Sequence, residues 1–140
     1  MKAFGAVLVA LAVALAPACA DDGAYQADNK ALLATIPVYP GAREIEREDA
    51  VRTVEEHEAG WTLRAIYTLP PGVTVEQVLG YYRDNLPGWT PDPGCCAGLD
   101  VASFLRGDES VSVNADNVEA PVHTYEVGVD AHRTRDDGRF

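Results

Sequence analysis

Two adjacent cysteines, Cys95 and Cys96, are the most unusual chemistry-bearing residues in the sequence. In an oxidising compartment, neighbouring cysteines can close a disulfide across one distorted peptide link, and strained disulfides are the ones most readily reduced. The pair lies among the prolines and glycines of residues 91–98, which predict an exposed loop. One interpretation is a redox or soft-metal site. The favoured alternative is a loop staple, or two inert thiols, because no third soft ligand stands nearby in sequence.

The third cysteine, Cys19, follows a segment with the order of a secretory signal. Lys2 supplies an early positive charge, residues 4–16 form an apolar run too short to span a bilayer, and Ala18 precedes the cysteine. A cysteine directly after small residues resembles the lipobox of bacterial lipoproteins, which implies that residues 1–18 are removed and that Cys19 carries a lipid. Cleavage by the ordinary signal peptidase, after Ala18 or after Ala20, is the alternative. Lipidation of Cys19 would leave an even number of cysteines, as suits an exported protein.

Other residues that could do chemistry are dispersed along the chain. The three histidines, His57, His123 and His132, lack the i, i+4 spacing of a helical metal pair. The serines lack the Gly-x-Ser-x-Gly elbow of a hydrolase. The acidic residues between positions 44 and 58 lack the ligand spacing of a calcium loop, so a solvated sheet edge is the favoured interpretation. We therefore predict no catalytic residue, no metal site and no cofactor, and we favour a non-enzymatic protein over an enzyme.

Two aromatic residues are candidates for a binding patch. Tyr81 lies one position off the apolar stripe of a predicted helix, and Trp89 follows the end of that helix. Aromatic side chains at the rim of a domain often mark a binding surface. Packing into the core is the favoured alternative for both, and we assign Trp61, Tyr67 and Tyr82 to the core outright.

Charge and length limit the classes of partner and the number of domains. The 140 residues include 11 basic and 22 acidic ones, for a net charge of −11. Removal of residues 1–18, which contain one base and no acid, leaves 122 residues and a net charge of −12. Such a surface repels nucleic acid and anionic lipid head groups, so a nucleic-acid partner is not expected. A chain of this length supports one domain with a modest core.

The elements that must position these residues form one predicted domain, residues 36–132. Residues 19–35 are predicted to be a tether after the lipidated cysteine, with a short helix through residues 31–33 as the alternative, and residues 133–140 a frayed tail. A capping box of Thr74 and Gln77 starts the main predicted helix, which ends at Asn85. Its apolar stripe is Val75, Val78, Leu79, Tyr82 and Leu86.

Strands are predicted from alternation and turn residues. Residues 42–57 form one or two edge strands with a bend near Glu48 and Asp49, a turn follows at residues 58–60, and residues 61–69 form the strongest strand. Further strands are predicted at residues 101–106, 110–115 and 122–131. The predicted fold class is α+β: a curled antiparallel sheet of about five strands packed against one main helix in two layers.

Several of these motifs resemble a loose class of small, uncharacterised bacterial exported proteins and lipoproteins. The matching segments are Tyr39-Pro40-Gly41-Ala42, Leu69-Pro70, residues 78–82 and Leu86-Pro87-Gly88-Trp89. The class has no agreed activity, so the resemblance implies a fold and a compartment but no catalytic residue. We expect a lipid-anchored, non-enzymatic module at the bacterial envelope that binds or positions a protein or a small ligand. The alternative is an exported thiol-redox or metal-binding protein that uses Cys95 and Cys96.

Overall fold

In a computed structural model, the part of the chain that the structure describes forms a six-stranded antiparallel sheet and two helices. The structure describes residues 22–54, 57–96, 100–120 and 123–133. The predicted signal peptide, the predicted lipidation site at Cys19 and residues 134–140 of the tail lie outside these residues, as does the side chain of Trp61. None of the described helices is long and apolar enough to cross a membrane.

The order of strands across the sheet is β1-β2-β6-β5-β4-β3. In chain order the elements are helix α1 (Asp22–Thr35), strands β1 (Arg43–Val54) and β2 (His57–Thr68), helix α2 (Val75–Asn85), and strands β3 (Thr90–Pro91), β4 (Val101–Arg106), β5 (Glu109–Asn114) and β6 (Thr124–Asp130). The α+β class and the antiparallel sheet are confirmed. The additional strand, β3, is only two residues long, and the additional helix is α1.

Strand β2 has the predicted alternation of buried and solvent-facing residues. Leu63, Ala65 and Tyr67 are buried, and so is Leu69 directly after the strand. The predicted turn at residues 58–60 is wrong, because these residues belong to β2 and Val54 pairs with His57. The pairs on either side, Val51 with Trp61 and Thr53 with Glu58, keep β2 on the ladder with β1, and the turn preference of Gly60 is accommodated by a shift of register at this place.

Strand β1 is the edge strand that its charge predicts. It is a single strand, and the bend expected near Glu48 and Asp49 is absent, since both pair regularly with β2. The ladder instead shifts register at two places, between Glu44 and Glu46 and between Val51 and Thr53. Such irregularities and charges on an edge discourage pairing with other chains.

Helix α2 forms as its local sequence predicts. The hydroxyl of Thr74 accepts a hydrogen bond from the backbone N–H of Gln77 at 3.3 Å, and the Gln77 side chain accepts from the backbone N–H of Thr74 at 2.8 Å. The predicted stripe faces the core, with Val78, Leu79, Tyr82 and Leu86 buried and Val75 partly buried. No prediction about this helix needed revision.

Helix α1 corrects the predicted tether. Residues 22–35, expected to be mostly irregular, form a helix whose Leu32 and Leu33 are buried, and Ile36 directly after it is also buried. Asn29 is only 1% exposed, and its side-chain oxygen accepts a hydrogen bond from the backbone N–H of Ala131 at 2.7 Å. These four residues follow the i, i+3, i+4, i+7 spacing of a helix face. The helix that was the alternative interpretation is therefore present, and it is packed against the domain.

Three tyrosines form the polar part of the core. The hydroxyls of Tyr82 and Tyr125 lie 3.0 Å apart, and the backbone N–H of Tyr39 donates to the Tyr125 hydroxyl at 3.1 Å. The ring of Tyr67 stacks on that of Tyr125 with centroids 5.2 Å apart. Burial raises the pKa of Tyr67 to about 12 and raises the pKa values of Tyr82 and Tyr125 above their ordinary value. The network therefore favours the neutral phenols.

Candidate binding cleft on the open face of the sheet

The two faces of the sheet differ in polarity. Side chains of β2, β4, β5 and β6 that point to one face join the helices in a single apolar core. Because side chains alternate along a strand, the residues between them face the other way. Four residues in register cross this open face, Ser103 on β4, Ser112 on β5, Gly128 on β6 and Arg64 on β2. The open face is therefore predominantly polar around its centre.

A cleft of about 290 Å³ lies on this face. It is lined by residues of β2, β4, β5 and β6, the segment after β3 and the segment after β6: Thr62, Asp92, Cys95, Ser103, Ser110, Ser112, Gly128, Val129, Asp130 and Arg133. The sequence contains only three serines, and all three line this cleft. This is the candidate functional site, and we call it the serine cleft.

The hydroxyl groups of the serine cleft have free hydrogen-bonding capacity. Among the described residues, the side chains of Ser103, Ser110, Ser112 and Thr62 make no hydrogen bond to another protein group. Ser103 and Ser110 are half-buried, whereas Ser112 is exposed. Each hydroxyl can donate one hydrogen bond and accept two. Water or a ligand must therefore supply their partners.

Gly128 forms the floor of the serine cleft. A Cβ atom added at Gly128 would lie 2.7 Å from the hydroxyl oxygen of Ser112 and 3.8 Å from the Thr62 methyl group. A side chain at this position would therefore occupy the space that the surrounding hydroxyls face. Glycine inside a strand commonly marks a place where another group approaches the backbone closely.

The segment that follows β3 forms one wall. The backbone N–H of Asp92 donates to the carbonyl of Ser103 at 2.9 Å, which fixes the segment beside β4. The Asp92 carboxylate accepts from the backbone N–H of Gly94 at 2.9 Å, and the N–H of Cys95 donates to the carbonyl of Asp92 at 3.3 Å. This turn brings Cys95 to the cleft. The structure joins Cys95 to Cys96 in a disulfide.

The opposite wall carries the charged groups Asp130 and Arg133. Asp130 is 5% exposed, and its carboxylate accepts a hydrogen bond from the backbone N–H of His132 at 2.8 Å. The backbone N–H of Arg133 donates to the carbonyl of Asp108 at 2.8 Å, so the chain after β6 is held against the turn between β4 and β5. The walls of the cleft thus contain two carboxylates, of Asp92 and Asp130, and one guanidinium.

The predicted aromatic patch is not part of this cleft. The Tyr81 hydroxyl donates to the carbonyl of Val38 at 3.0 Å, and its ring meets that of Tyr39 edge to face at 5.3 Å. Trp89 is covered by the guanidinium of Arg106, 4.4 Å from the ring centre. Tyr81 and Trp89 are both partly buried against the core, and no ring contact joins them. Each therefore has its own partner within the protein.

The histidines are also engaged separately. His132 lies 2.7 Å from the carboxylate of Asp28 and meets the ring of Tyr25 edge to face, which ties the end of β6 to α1. His123 contacts the carbonyl of Val118 through Nδ1. Within residues 22–54, 57–96, 100–120 and 123–133, no three histidine, cysteine, aspartate or glutamate side chains converge as metal ligands.

A second concavity of about 360 Å³ runs beside α1, and it is more open than the serine cleft. Its lining includes the His132–Asp28 contact and the ion pair of Arg106 with Glu109 at 2.7 Å. These polar groups already satisfy one another. The concavity is therefore the seam between α1 and the sheet.

Comparison with known proteins gives no further information about the site. No protein-family model, curated protein or solved structure matches the chain. The resemblance to exported bacterial proteins therefore stays a prediction from the motifs.

Sequence reasoning identified Cys95 but missed the rest of the cleft. The serines were considered only as nucleophiles. One signal was present in the sequence: Ser103, Ser110 and Ser112 occupy alternate, outward positions of two predicted strands, where charged residues are the usual choice in so acidic a chain. The order of strands across the sheet brings the three serines close to Cys95 and Asp130.

Proposed function

We propose that the protein is an exported, lipid-anchored module of the bacterial envelope that binds a small ligand in the serine cleft without transforming it. The observation that carries the binding role is the convergence, in a recess of about 290 Å³, of two carboxylates, one guanidinium and four hydroxyls that have no hydrogen-bond partner among the described residues. A few polar groups that converge in a concave recess are typical of small-molecule sites. The anchoring role rests on the sequence of residues 1–19.

The chemistry of the cleft supports binding over catalysis. A serine nucleophile needs a base within hydrogen-bond reach, as histidine provides in a hydrolase. Among the residues that the structure describes, no histidine lines the serine cleft, and its serine hydroxyls make no hydrogen bond to either cleft carboxylate. Since each carboxylate accepts a backbone N–H, Asp92 and Asp130 are oriented by the fold and available as hydrogen-bond acceptors.

Substitution of Cys19 tests the anchor. We expect Cys19→Ala to move the protein from the membrane fraction to the soluble fraction, and mass spectrometry of the wild-type N-terminus to find a lipid-modified Cys19. Cys95→Ser and Cys96→Ser are matched controls that should leave the wild-type distribution unchanged. A Cys19→Ala protein that stays in the membrane fraction would contradict lipid anchoring.

Nuclear magnetic resonance tests the binding role. A chemically mixed library of small fragments, added to the ¹⁵N-labelled mature protein, should shift the amide signals of Ser103, Ser112 and Gly128. The amides of Val78 and Tyr82 in α2, which face the core on the other side of the sheet, provide the internal reference. Fragments that shift only signals remote from the cleft would refute it as the binding site.

A second candidate function is thiol-disulfide exchange, which the position of Cys95 in the wall of the cleft favours. The thiolate of an external dithiol would attack one sulfur of the Cys95–Cys96 disulfide and form a mixed disulfide. That attack releases one of the two cysteines as a thiol. The second thiol of the dithiol would then attack the mixed disulfide and release the other cysteine, and the external dithiol would leave as a disulfide. The reduced pair would also be the form able to bind a soft metal ion.

Thiol counting distinguishes this second function from a passive staple. The folded protein should gain two thiols on treatment with dithiothreitol, and reoxidation should restore the original count. A redox role further requires that reduction change ligand binding in the cleft, whereas a Cys95→Ser/Cys96→Ser variant should be insensitive to the reductant. If reduction leaves the amide signals of the cleft unchanged, the redox role is excluded and the disulfide is a staple.

A further inference from the structure

We propose that the ligand of the serine cleft is a neutral, hydroxyl-rich molecule, namely a saccharide unit. This inference rests on the proposed function, because it assigns a ligand class to the same cleft. It starts from the placement of all three serines of the chain, with Thr62, around one recess. A hydroxyl group both donates and accepts hydrogen bonds, so a wall of hydroxyls matches a ligand whose own groups also do both.

The charges around the cleft disfavour phosphates and divalent metal ions. Two carboxylates against one guanidinium give the lining a net negative charge, and the whole chain carries −11. An inorganic or organic phosphate would be repelled. A divalent cation prefers several converging oxygen anions, but the described residues place no three acidic, histidine or cysteine ligands together. A neutral polar ligand is not repelled by the negative lining and does not need several converging anionic oxygens.

The carboxylates complete the match to a sugar. Asp92 and Asp130 each use an oxygen to accept a backbone N–H, which fixes the orientation of the carboxylate. Hydrogen bonds to a charged acceptor are about twice as strong as those between neutral groups. Oriented carboxylates are therefore strong acceptors for the hydroxyl groups of a sugar ring.

The shape of the cleft sets the size of the ligand. Its volume of about 290 Å³ is at the lower end of the range of about 300–1,000 Å³ found for small-molecule sites, so it encloses one ring. Gly128 adds no side chain to the floor, where a Cβ atom would lie 2.7 Å from the Ser112 hydroxyl oxygen. The wall at Cys95 presents sulfur, which is soft and polarizable and packs well against carbon. A sugar ring offers both an apolar C–H face for the sulfur and a polar rim for the hydroxyls.

Titration of the ¹⁵N-labelled mature protein with glucose and with N-acetylglucosamine tests the ligand class. We expect one of the two to shift the amides of Ser103, Ser112 and Gly128 in a saturable manner. Inorganic phosphate and calcium chloride serve as counter-probes and should leave these amides unshifted. Pelleting with isolated peptidoglycan, compared with the free sugars, separates a polymeric source of the saccharide from a soluble one.

Three variants connect binding to the cleft. Ser112→Ala and Ser103→Ala each remove a hydroxyl that no protein group uses, and each should weaken saccharide binding about 3- to 10-fold. In the double variant Gly128→Ala/Ser112→Ala, the new methyl group at position 128 fills the floor of the cleft. The substitution at Ser112 removes the oxygen that would lie 2.7 Å from the new Cβ, so the variant should fold. It should lose saccharide affinity by more than about tenfold. Circular dichroism checks the folding of each.

Thr124→Ala is the matched control. Thr124 is on the same strand as Gly128, its hydroxyl makes no protein hydrogen bond among the described residues, and it lies outside the lining of the cleft. The two positions are about 13 Å apart at the rise of an antiparallel strand. Thr124→Ala should therefore bind the saccharide with the affinity of the wild type.

The outcomes separate the two proposals. Saccharide binding that Ser112→Ala weakens and Thr124→Ala spares supports the inference. If phosphate, calcium or neutral fragments without hydroxyls shift the cleft amides while neither sugar does, the ligand class is wrong and the binding role stands. If no probe or fragment shifts these amides, both proposals fail. Saccharide binding that none of the cleft variants weakens would overturn the assignment to this site.

Discussion

The hydrogen-bonded tyrosines predict that two similar substitutions have unequal costs. Phenylalanine at position 125 removes the acceptor of the Tyr39 N–H and the partner of the Tyr82 hydroxyl at once. Phenylalanine at position 82 removes one hydroxyl only, and the Tyr125 oxygen still accepts from Tyr39. Both rings are essentially fully buried, so the change in apolar area is small in each case.

The difference in stability can be estimated from the groups left without a partner. A buried polar group that loses its partner costs about 1–3 kcal/mol, whereas a typical hydrogen bond contributes about 1 kcal/mol net. Tyr125→Phe leaves the fully buried Tyr82 hydroxyl and the partly buried Tyr39 N–H unsatisfied, so we expect a loss of about 2–4 kcal/mol. Tyr82→Phe takes one partner from the Tyr125 hydroxyl, whose oxygen keeps the Tyr39 N–H, so it should cost about 1–2 kcal/mol.

Urea denaturation followed by circular dichroism measures both values. The double variant Tyr82→Phe/Tyr125→Phe should be no less stable than Tyr125→Phe alone, because removal of Tyr82's hydroxyl also removes the unsatisfied group. Tyr81→Phe is the control, since its hydroxyl bonds a carbonyl at the exposed surface, and it should change stability by less than about 0.5 kcal/mol. A cost for Tyr82→Phe equal to or above that of Tyr125→Phe would refute this description of the network.

Three further predictions concern pH and the two helices. The stabilising contribution of the buried neutral tyrosines should be fully present below pH 10, where tyrosine begins to ionise in the unfolded chain, and should be lost as the pH rises through 12, because the pKa of Tyr67 in the folded protein is about 12. In alkaline unfolding curves the free energy of unfolding should fall by about 1.4 kcal/mol per pH unit for each such tyrosine. Tyr82→Phe should reduce this slope. Asn29→Ala removes the acceptor of the Ala131 N–H and should cost about 2 kcal/mol in urea denaturation, with Lys30→Ala, an exposed neighbour, close to neutral. Thr74→Ala removes the N-cap of α2 and should cost about 1 kcal/mol by the same measurement; an unchanged midpoint would mean that the capping box contributes nothing.

The two helices show which parts of the fold could be predicted. Helix α2 has its start, its cap and its apolar stripe within 13 residues, so local chemistry determines it. Helix α1 places the polar residue Asn29 on its buried face, which interrupts the apolar pattern. The partner of Asn29 is the N–H of Ala131, 102 positions away. No local pattern reveals that a polar side chain is satisfied by so distant a group.

The cleft shows the same division between local and distant information. The alternation in β4 and β5 placed the serines on strands, and the prolines and glycines placed Cys95 in a loop. Their convergence depends on two long-range contacts, the pairing of Ser112 with Gly128 and the hydrogen bond from Asp92 to Ser103. Such contacts follow from the order of strands, which alternation does not specify.

The position of α1 limits how far a lipid anchor would let this protein reach. Helix α1 begins at Asp22, three positions after Cys19, and three residues of extended chain span about 10 Å at most. Because the hydrogen bond between Asn29 and Ala131 holds α1 against the end of β6, α1 moves with the domain and adds no length to the connection between Cys19 and the domain. An anchored copy would thus sit close to the bilayer with a restricted range of tilt. It would reach ligands within roughly one domain's thickness of the membrane. A domain on a long flexible linker would reach ligands much farther from the membrane.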